Sequence, residues 1–111
     1  MTRLRLTKHH GLGNDFLVVF HPPVADLPEL ARRLCDRRLG VGADGLLVAE
    51  TAEGYAAEMV LFNADGTRAE MSGNGIRCFA QALAMRRGDL DDQLVAAGTD
   101  FTACLPLTEQ R

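Results

Sequence analysis

No stretch of this chain is apolar for long enough to span a bilayer, no block of like charge interrupts it, and cysteine occurs only three times. The first absence excludes a transmembrane helix, which needs about 20 consecutive apolar residues. The opening MTRLRLTKHHG alternates charged and apolar residues and has no uninterrupted apolar core of the kind that marks a signal peptide. A soluble, cytoplasmic protein is expected. The second absence follows from 12 basic and 15 acidic residues mixed along the chain, for a formal net charge of -3. Nothing here draws the protein to phosphate backbones or anionic lipid, so neither a nucleic-acid nor a membrane partner is expected. Cys35, Cys78 and Cys104 are an odd count without CxxC or Cys/His ligand spacing. That argues against a disulfide framework and against a structural metal site, and leaves buried thiols as the plain reading. Internal repeats and low-complexity tracts are also missing. What is present is 47% hydrophobic side chains in 111 residues, enough for one domain with a core and short for a two-lobed enzyme.

Leu4 and Leu6 alternate with Arg3, Arg5 and Thr7, the segment His9 to Asp15 interrupts with two glycines, and Phe16 to Phe20 is an apolar run. The pattern is strand, glycine loop, strand. After Pro22 and Pro23, Asp26 and Glu29 have the spacing of a capping box, and Leu27, Leu30, Ala31 and Leu34 recur at helical spacing, which predicts a helix over about 27–38. A second glycine loop, Gly40 to Gly45, leads into a strand at Leu46 to Glu50. Tyr55 to Phe62 reads as another strand, ending in the turn signal Asn63-Ala64-Asp65-Gly66, and a short return passes through Arg68, Glu70 and Met71. From Ile76 to Met85 only Arg77 and Gln81 are polar, so this helix is expected to be buried, ending at Arg86-Arg87-Gly88. Leu94 to Ala97 and Phe101 to Leu105, around Gly98-Thr99-Asp100, read as a closing hairpin. The inferred class is α+β, a strongly curved, mainly antiparallel sheet wrapped around a central apolar helix with the shorter helix outside.

The segment Asn63 to Cys78, NADGTRAEMSGNGIRC, carries the chemistry. It joins a tight turn to a serine and then to a Gly-Asn-Gly start of an apolar helix. Unpaired N–H groups there, aided by the helix dipole, would receive a carboxylate on Gly73, Asn74 and Gly75, with Ser72 close by. The plainer reading makes Ser72 an N-cap and the glycines turn residues, and for an isolated S-G-N-G string it would prevail.

The motif is not isolated. HHGLGNDFLVV, RRLGVGADGLLVAE and LFNADGTRAEMSGNGIRCFAQAL stand in the order and spacing of the N-terminal half of diaminopimelate epimerases, which this chain therefore resembles across most of residues 9–83. The resemblance implies a fold of two similar lobes with the substrate between them, of which residues 1–111 would be the N-terminal lobe and the C-terminal lobe would lie outside this chain. It implies an isomerase that inverts an α-carbon of diaminopimelate by two-base proton transfer, without pyridoxal phosphate, metal or other cofactor, on the route to lysine and peptidoglycan. Asn14 and Asn63 match asparagines that bind polar groups of the substrate in that family. Gly73 and Asn74 match the pair that receives the α-carboxylate. The commoner use of an asparagine beside glycine or Ala-Asp-Gly is a left-handed turn position, but the three-block match favours binding.

Two positions depart from the family pattern. Ser72 stands where the family has its first catalytic cysteine, and Gly45 stands where a substrate-contacting glutamine is usual. A thiol of ordinary pKa about 8.5 can be lowered by a helix N-terminus, whereas a serine hydroxyl is a far weaker acid that needs an adjacent base. Ser72 is therefore the candidate catalytic position without the family's catalytic group. Two other readings follow: a related isomerase or dehydratase of the same fold with a changed base, or a non-catalytic lobe that binds a partner or an amino acid. His9 and His10, at a strand end, are expected to be surface or hydrogen-bonding residues, Arg77 an ion pair or carbonyl cap, and Cys78 a core thiol. Sheet edges leave homodimerisation open.

Overall fold

The computed structural model describes residues 2–11, 13–50, 58–70, 73–87 and 98–105. In chain order these form β1 (Thr2–Gly11), β2 (Asn14–Phe20), α1 (Leu27–Cys35), β3 (Gly45–Glu50), β4 (Glu58–Asn63), β5 (Arg68–Ala69), α2 (Gly73–Arg87) and β6 (Gly98–Leu105). The strands make one open six-stranded sheet in the order β5-β4-β3-β2-β1-β6. Every pairing is antiparallel except β2 with β3, which run parallel. That exception has a simple cause. A parallel neighbour requires a crossover, and α1 supplies it between β2 and β3. The α+β class with a mainly antiparallel sheet is what the chain forms.

Side-chain alternation divides the apolar residues of the sheet between two faces. Leu4 and Leu6 of β1, Leu17 and Val19 of β2, and Leu46 and Val48 of β3 pack with Leu30, Ala31, Leu34 and Cys35 of α1. Phe16 and Val18 of β2, Leu47 and Ala49 of β3, and Leu61 of β4 pack with Cys78, Phe79 and Ala82 of α2. The two helices thus cover opposite faces, and the inner strands are apolar on both. The Phe20 and Phe79 rings lie 6.3 Å apart between centroids, tying the end of β2 to α2.

Helix α1 begins as its sequence requires and ends early. Asp26 caps it by accepting from the Glu29 N–H at 3.1 Å. The reciprocal half of the capping box does not form. Glu29 instead takes Arg32 Nε at 2.8 Å and Arg33 Nε at 3.4 Å, which hold its carboxyl below the usual range. The helix stops at Cys35 rather than near Arg38, because the Asp36 carboxylate accepts from the Arg38 and Leu39 N–H groups and turns the chain. Gly42 N–H and Ala43 N–H then satisfy the carbonyls of Leu34 and Cys35.

Other elements also differ from their expected bounds, β2 beginning at Asn14 and β3 at Gly45. β1 continues through His9 and His10 to Gly11, paired with Asn14, because β2 offers ladder partners along that whole length. Gly98-Thr99-Asp100 is strand rather than turn, paired with His9, Lys8 and Thr7 of β1, while Leu94 to Ala97 lie outside the described residues. β4 begins at Glu58, with 51–57 outside the described residues. Helix α2 takes in Gly73, Asn74 and Gly75 as its first turn and runs to Arg87. It is also less enclosed than its composition predicts. Cys78, Phe79 and Ala82 are buried, but Ile76 is 50% exposed and Arg77 and Ala80 face outward. Contact with one face of a sheet covers one side of a helix, whatever the helix carries on the other.

Candidate functional site

The three segments singled out by sequence converge, in part, at one end of the sheet. β2 starts there, β3 starts there and β4 ends there, so Phe16, Gly45 and Asn63 lie side by side across three strands. Asn14 is in phase with Phe16, and Asn63 with Leu61, both of which face α2. The two asparagines therefore occupy positions on the α2 face at the same sheet end. Both are exposed. Helix α2 starts four residues after β5, within a chain reach of roughly 14 Å of the strand that pairs with β4. Gly73, its first residue, is exposed, and a Cβ there would meet nothing within 4 Å. Ser72 lies outside the described residues.

Asn63 is fixed by its own turn. Its Nδ2 donates to Thr67 Oγ1 at 3.0 Å, and the Thr67 hydroxyl donates to Asp65 Oδ1 at 2.6 Å. The Thr67 hydroxyl, with the Thr67 N–H, holds the Asp65 carboxyl below its ordinary pKa. The turn closes through Gly66 N–H to the Asn63 carbonyl at 2.9 Å, with Gly66 at φ +90. A side chain at Gly66 would be strained and would run into Arg32 and the Pro28 carbonyl.

Asn14 is fixed by a charged cluster that sequence reasoning missed. Asp15 is buried and accepts a fork from Arg37, Nη2 to Oδ1 at 2.8 Å and Nη1 to Oδ2 at 3.2 Å, with Lys8 Nζ at 3.4 Å. Arg37 Nη2 also reaches Asp44 Oδ1 at 3.1 Å, and Asp44 Oδ2 accepts from Asn14 Nδ2 at 3.2 Å. The Arg37 hydrogen bonds outweigh burial and hold Asp15 far below the usual carboxylate range, with the Asp44 N–H and the charges of Arg37 and Lys8 adding to the effect. The same contacts push Arg37 above its ordinary value. Nothing in the local pattern of NDF, RR or GADG announces a pairing across 22 or 29 residues.

Other candidates take structural places. His9 is fully buried, with Nδ1 3.0 Å from Gln81 Oε1 and Nε2 2.7 Å from Thr7 Oγ1, so it joins β1 to α2, while His10 is exposed. Arg77 makes no ion pair among the described residues. Cys78 is buried, and burial raises its thiol, so it is not a replacement base for position 72. Burial pushes Cys35 up to about 12. Both thiols are free and belong to the core. Gly45 is a close approach. A Cβ there would sit 2.9 Å from the Phe62 carbonyl oxygen and 3.2 Å from the Phe16 ring. Among the described residues no group of His, Cys, Asp and Glu could hold a metal ion, and no helix is long and apolar enough to cross a membrane.

Residues 6–98 match the sequence model of the family described as Diaminopimelate epimerase. A diaminopimelate epimerase of Caldanaerobacter subterraneus subsp. tengcongensis is 56% identical over 78 residues, covering 70% of this chain and 28% of that protein. One of Nitrosospira multiformis is 50% identical over 110 residues, covering 96% of this chain and 39% of that protein. This chain thus spans well under half the length of these relatives. Among solved structures, the Bacillus anthracis phenazine biosynthesis protein of the PhzF family superposes with a TM-score of 0.54 at 20% identity, over 83% of this chain and 31% of that one. That likeness concerns the fold alone.

Proposed function

Because the chain belongs to the diaminopimelate epimerase family, we propose that it is one lobe of a cofactor-independent, cytoplasmic isomerase that interconverts LL- and meso-diaminopimelate for lysine and peptidoglycan-precursor synthesis. A second lobe, outside residues 1–111, completes the cleft and supplies the acid for the opposite face of the α-carbon. Alone, this lobe is inactive. The observation that carries the reading is the placement of Asn14 and Asn63 at one sheet end, in phase with the face on which α2 packs.

In this reading Gly73 and Asn74 receive the α-carboxylate through N–H groups at the positive end of α2, and Asn14 and Asn63 bind further polar groups of the substrate. The carbanion formed on proton removal is stabilised by the same helix-terminal donors. Ser72 occupies the position of the first base. A hydroxyl does not fill that role without a neighbouring base, and burial disqualifies Cys78. Ser72 therefore favours a second reading, a related proton-transfer enzyme of this fold with a changed base.

LL-diaminopimelate in deuterated water separates the two, with this chain alone and with it joined to a complete second lobe. The first reading expects no deuterium uptake by the lone chain and uptake with inversion once the lobes are joined, faster with cysteine at position 72 than with serine. Uptake without inversion, with serine in place, would support the second. Steady inversion by the lone chain would refute the two-lobe requirement.

A further inference from the structure

At the asparagine-bearing end of the sheet, Asp44 touches the start of β2, Arg37 and the turn that follows β4. Its Oδ2 accepts from Asn14 Nδ2 and from the Asp15 N–H, both at 3.2 Å. Its Oδ1 accepts from Arg37 at 3.1 Å. Its own N–H donates to Asp15 Oδ1 at 2.9 Å and to the Asp15 carbonyl at 3.0 Å. Its carbonyl accepts from the Ala64 N–H at 3.1 Å, next to Asn63. A carboxylate has only acceptor oxygens, so it engages the NH₂ end of the Asn14 amide and turns the carbonyl end away. Arg37 and the buried Asp15 in turn hold Asp44, and a charge-assisted fork of this kind fixes geometry as well as energy.

We propose that Asp44 is a positioning residue, which sets the orientation of the Asn14 side-chain amide and couples the β2 start to the β4 end so that Asn14 and Asn63 meet a ligand in fixed relative placement. This rests on the assignment of both asparagines to substrate binding. Asp44 acts through Asn14 rather than on the substrate, and its removal affects how tightly the ligand is held more than how fast a bound ligand reacts.

Two measurements test it. In the isotope-labelled chain without ligand, Asp44→Ala should move the Asn14 side-chain amide resonances toward those of a solvent-exposed asparagine. Asp26→Ala, which removes a distant helix cap, should lower stability and leave those resonances in place. Unchanged Asn14 resonances in folded Asp44→Ala overturn the proposal. In the protein carrying both lobes, a double-mutant cycle on LL-diaminopimelate affinity reads the coupling. Asn14→Ala and Asp44→Ala should each weaken binding about 3- to 10-fold, as loss of one hydrogen bond does, and should raise KM while sparing kcat. Asp44→Ala should cost clearly less in the Asn14→Ala background than in the wild-type background. Asp44→Asn, which keeps an acceptor for Asn14, should recover part of the affinity. Fully additive losses overturn the proposal even if each variant binds weakly. Unaltered affinity in Asn14→Ala instead refutes the binding role of that asparagine, and the resonance measurement then still decides whether Asp44 orients it.

Discussion

The two helices cover opposite faces of one sheet with very different outer surfaces. α1 buries Leu30, Ala31, Leu34 and Cys35 and turns Glu29, Arg32 and Arg33 to water, where they pair with one another. α2 buries Cys78, Phe79 and Ala82 and turns Ile76 and Ala80 outward beside Arg77. The first is a surface helix with a charged exterior. The second carries the proposed carboxylate-binding start, and over Ile76 to Ala80 its outward side chains include only one charge, Arg77. The α1 side thus combines a buried apolar face with a charged exterior, and the proposed chemistry lies on the α2 side.

The largest effect expected from that division lies at the start of α2. In a protein carrying both lobes, Ser72→Cys should raise the rate of α-proton exchange by ~10²–10⁴-fold, the usual contribution of a matched general base. Its thiol should also titrate below an ordinary cysteine, as a helix N-terminus dictates. Alkylation rate against pH, read beside exchange, checks both. An unreactive thiol with unchanged exchange would reduce position 72 to a helix cap.

On the α1 side the expected effects are on stability. Leu34→Ala removes a side chain that is 1% exposed and should cost about 3 kcal/mol in denaturant unfolding. A loss below about 1 kcal/mol would show that Leu34 is not tightly packed between α1 and the sheet. Asp15→Asn should cost about 2 kcal/mol at neutral pH, less than the ~3–5 kcal/mol of a fully buried pair, because Arg37 is half exposed. The pH dependence has a definite sign. The folded pKa of Asp15 lies below its unfolded value, so its stabilisation is complete above the unfolded value and is lost as pH falls below about 4 toward the folded one. Wild type and Asp15→Asn should therefore converge in acid. Parallel stability curves down to low pH would contradict the assignment.

Smaller effects sharpen the contrast further. Asp26→Ala should lower stability by about 1 kcal/mol through loss of the α1 cap. Ile76→Ala, on the exposed side of α2, should change stability by less than about 0.5 kcal/mol. A cost as large as that of Leu34→Ala would mean that Ile76 is enclosed, and would erase the difference between the two helices.

Much of this was determined by sequence alone. Alternation of Leu4 and Leu6, the apolar runs of β2 and β3, the Asp26 cap and the Asn-Ala-Asp-Gly turn are local features, and each depends on residues at most a few positions apart. The three glycine-bearing blocks pointed to the family for the same reason, since their content is contiguous. Tertiary structure decided what contiguity does not contain. Arg37 joins Asp15 across 22 residues and Asp44 joins Asn14 across 30, through contacts that exist only once α1 has carried the chain from β2 to the parallel β3. His9 meets Gln81 across 72 residues, which turned an ambiguous strand-end histidine into a buried link. Where α1 ends was likewise settled by the Asp36 carboxylate competing for N–H groups that a continuing helix would have used. The outward face of α2 was decided by the sheet, which covers one side of a helix even when the sequence is apolar on nearly all of them.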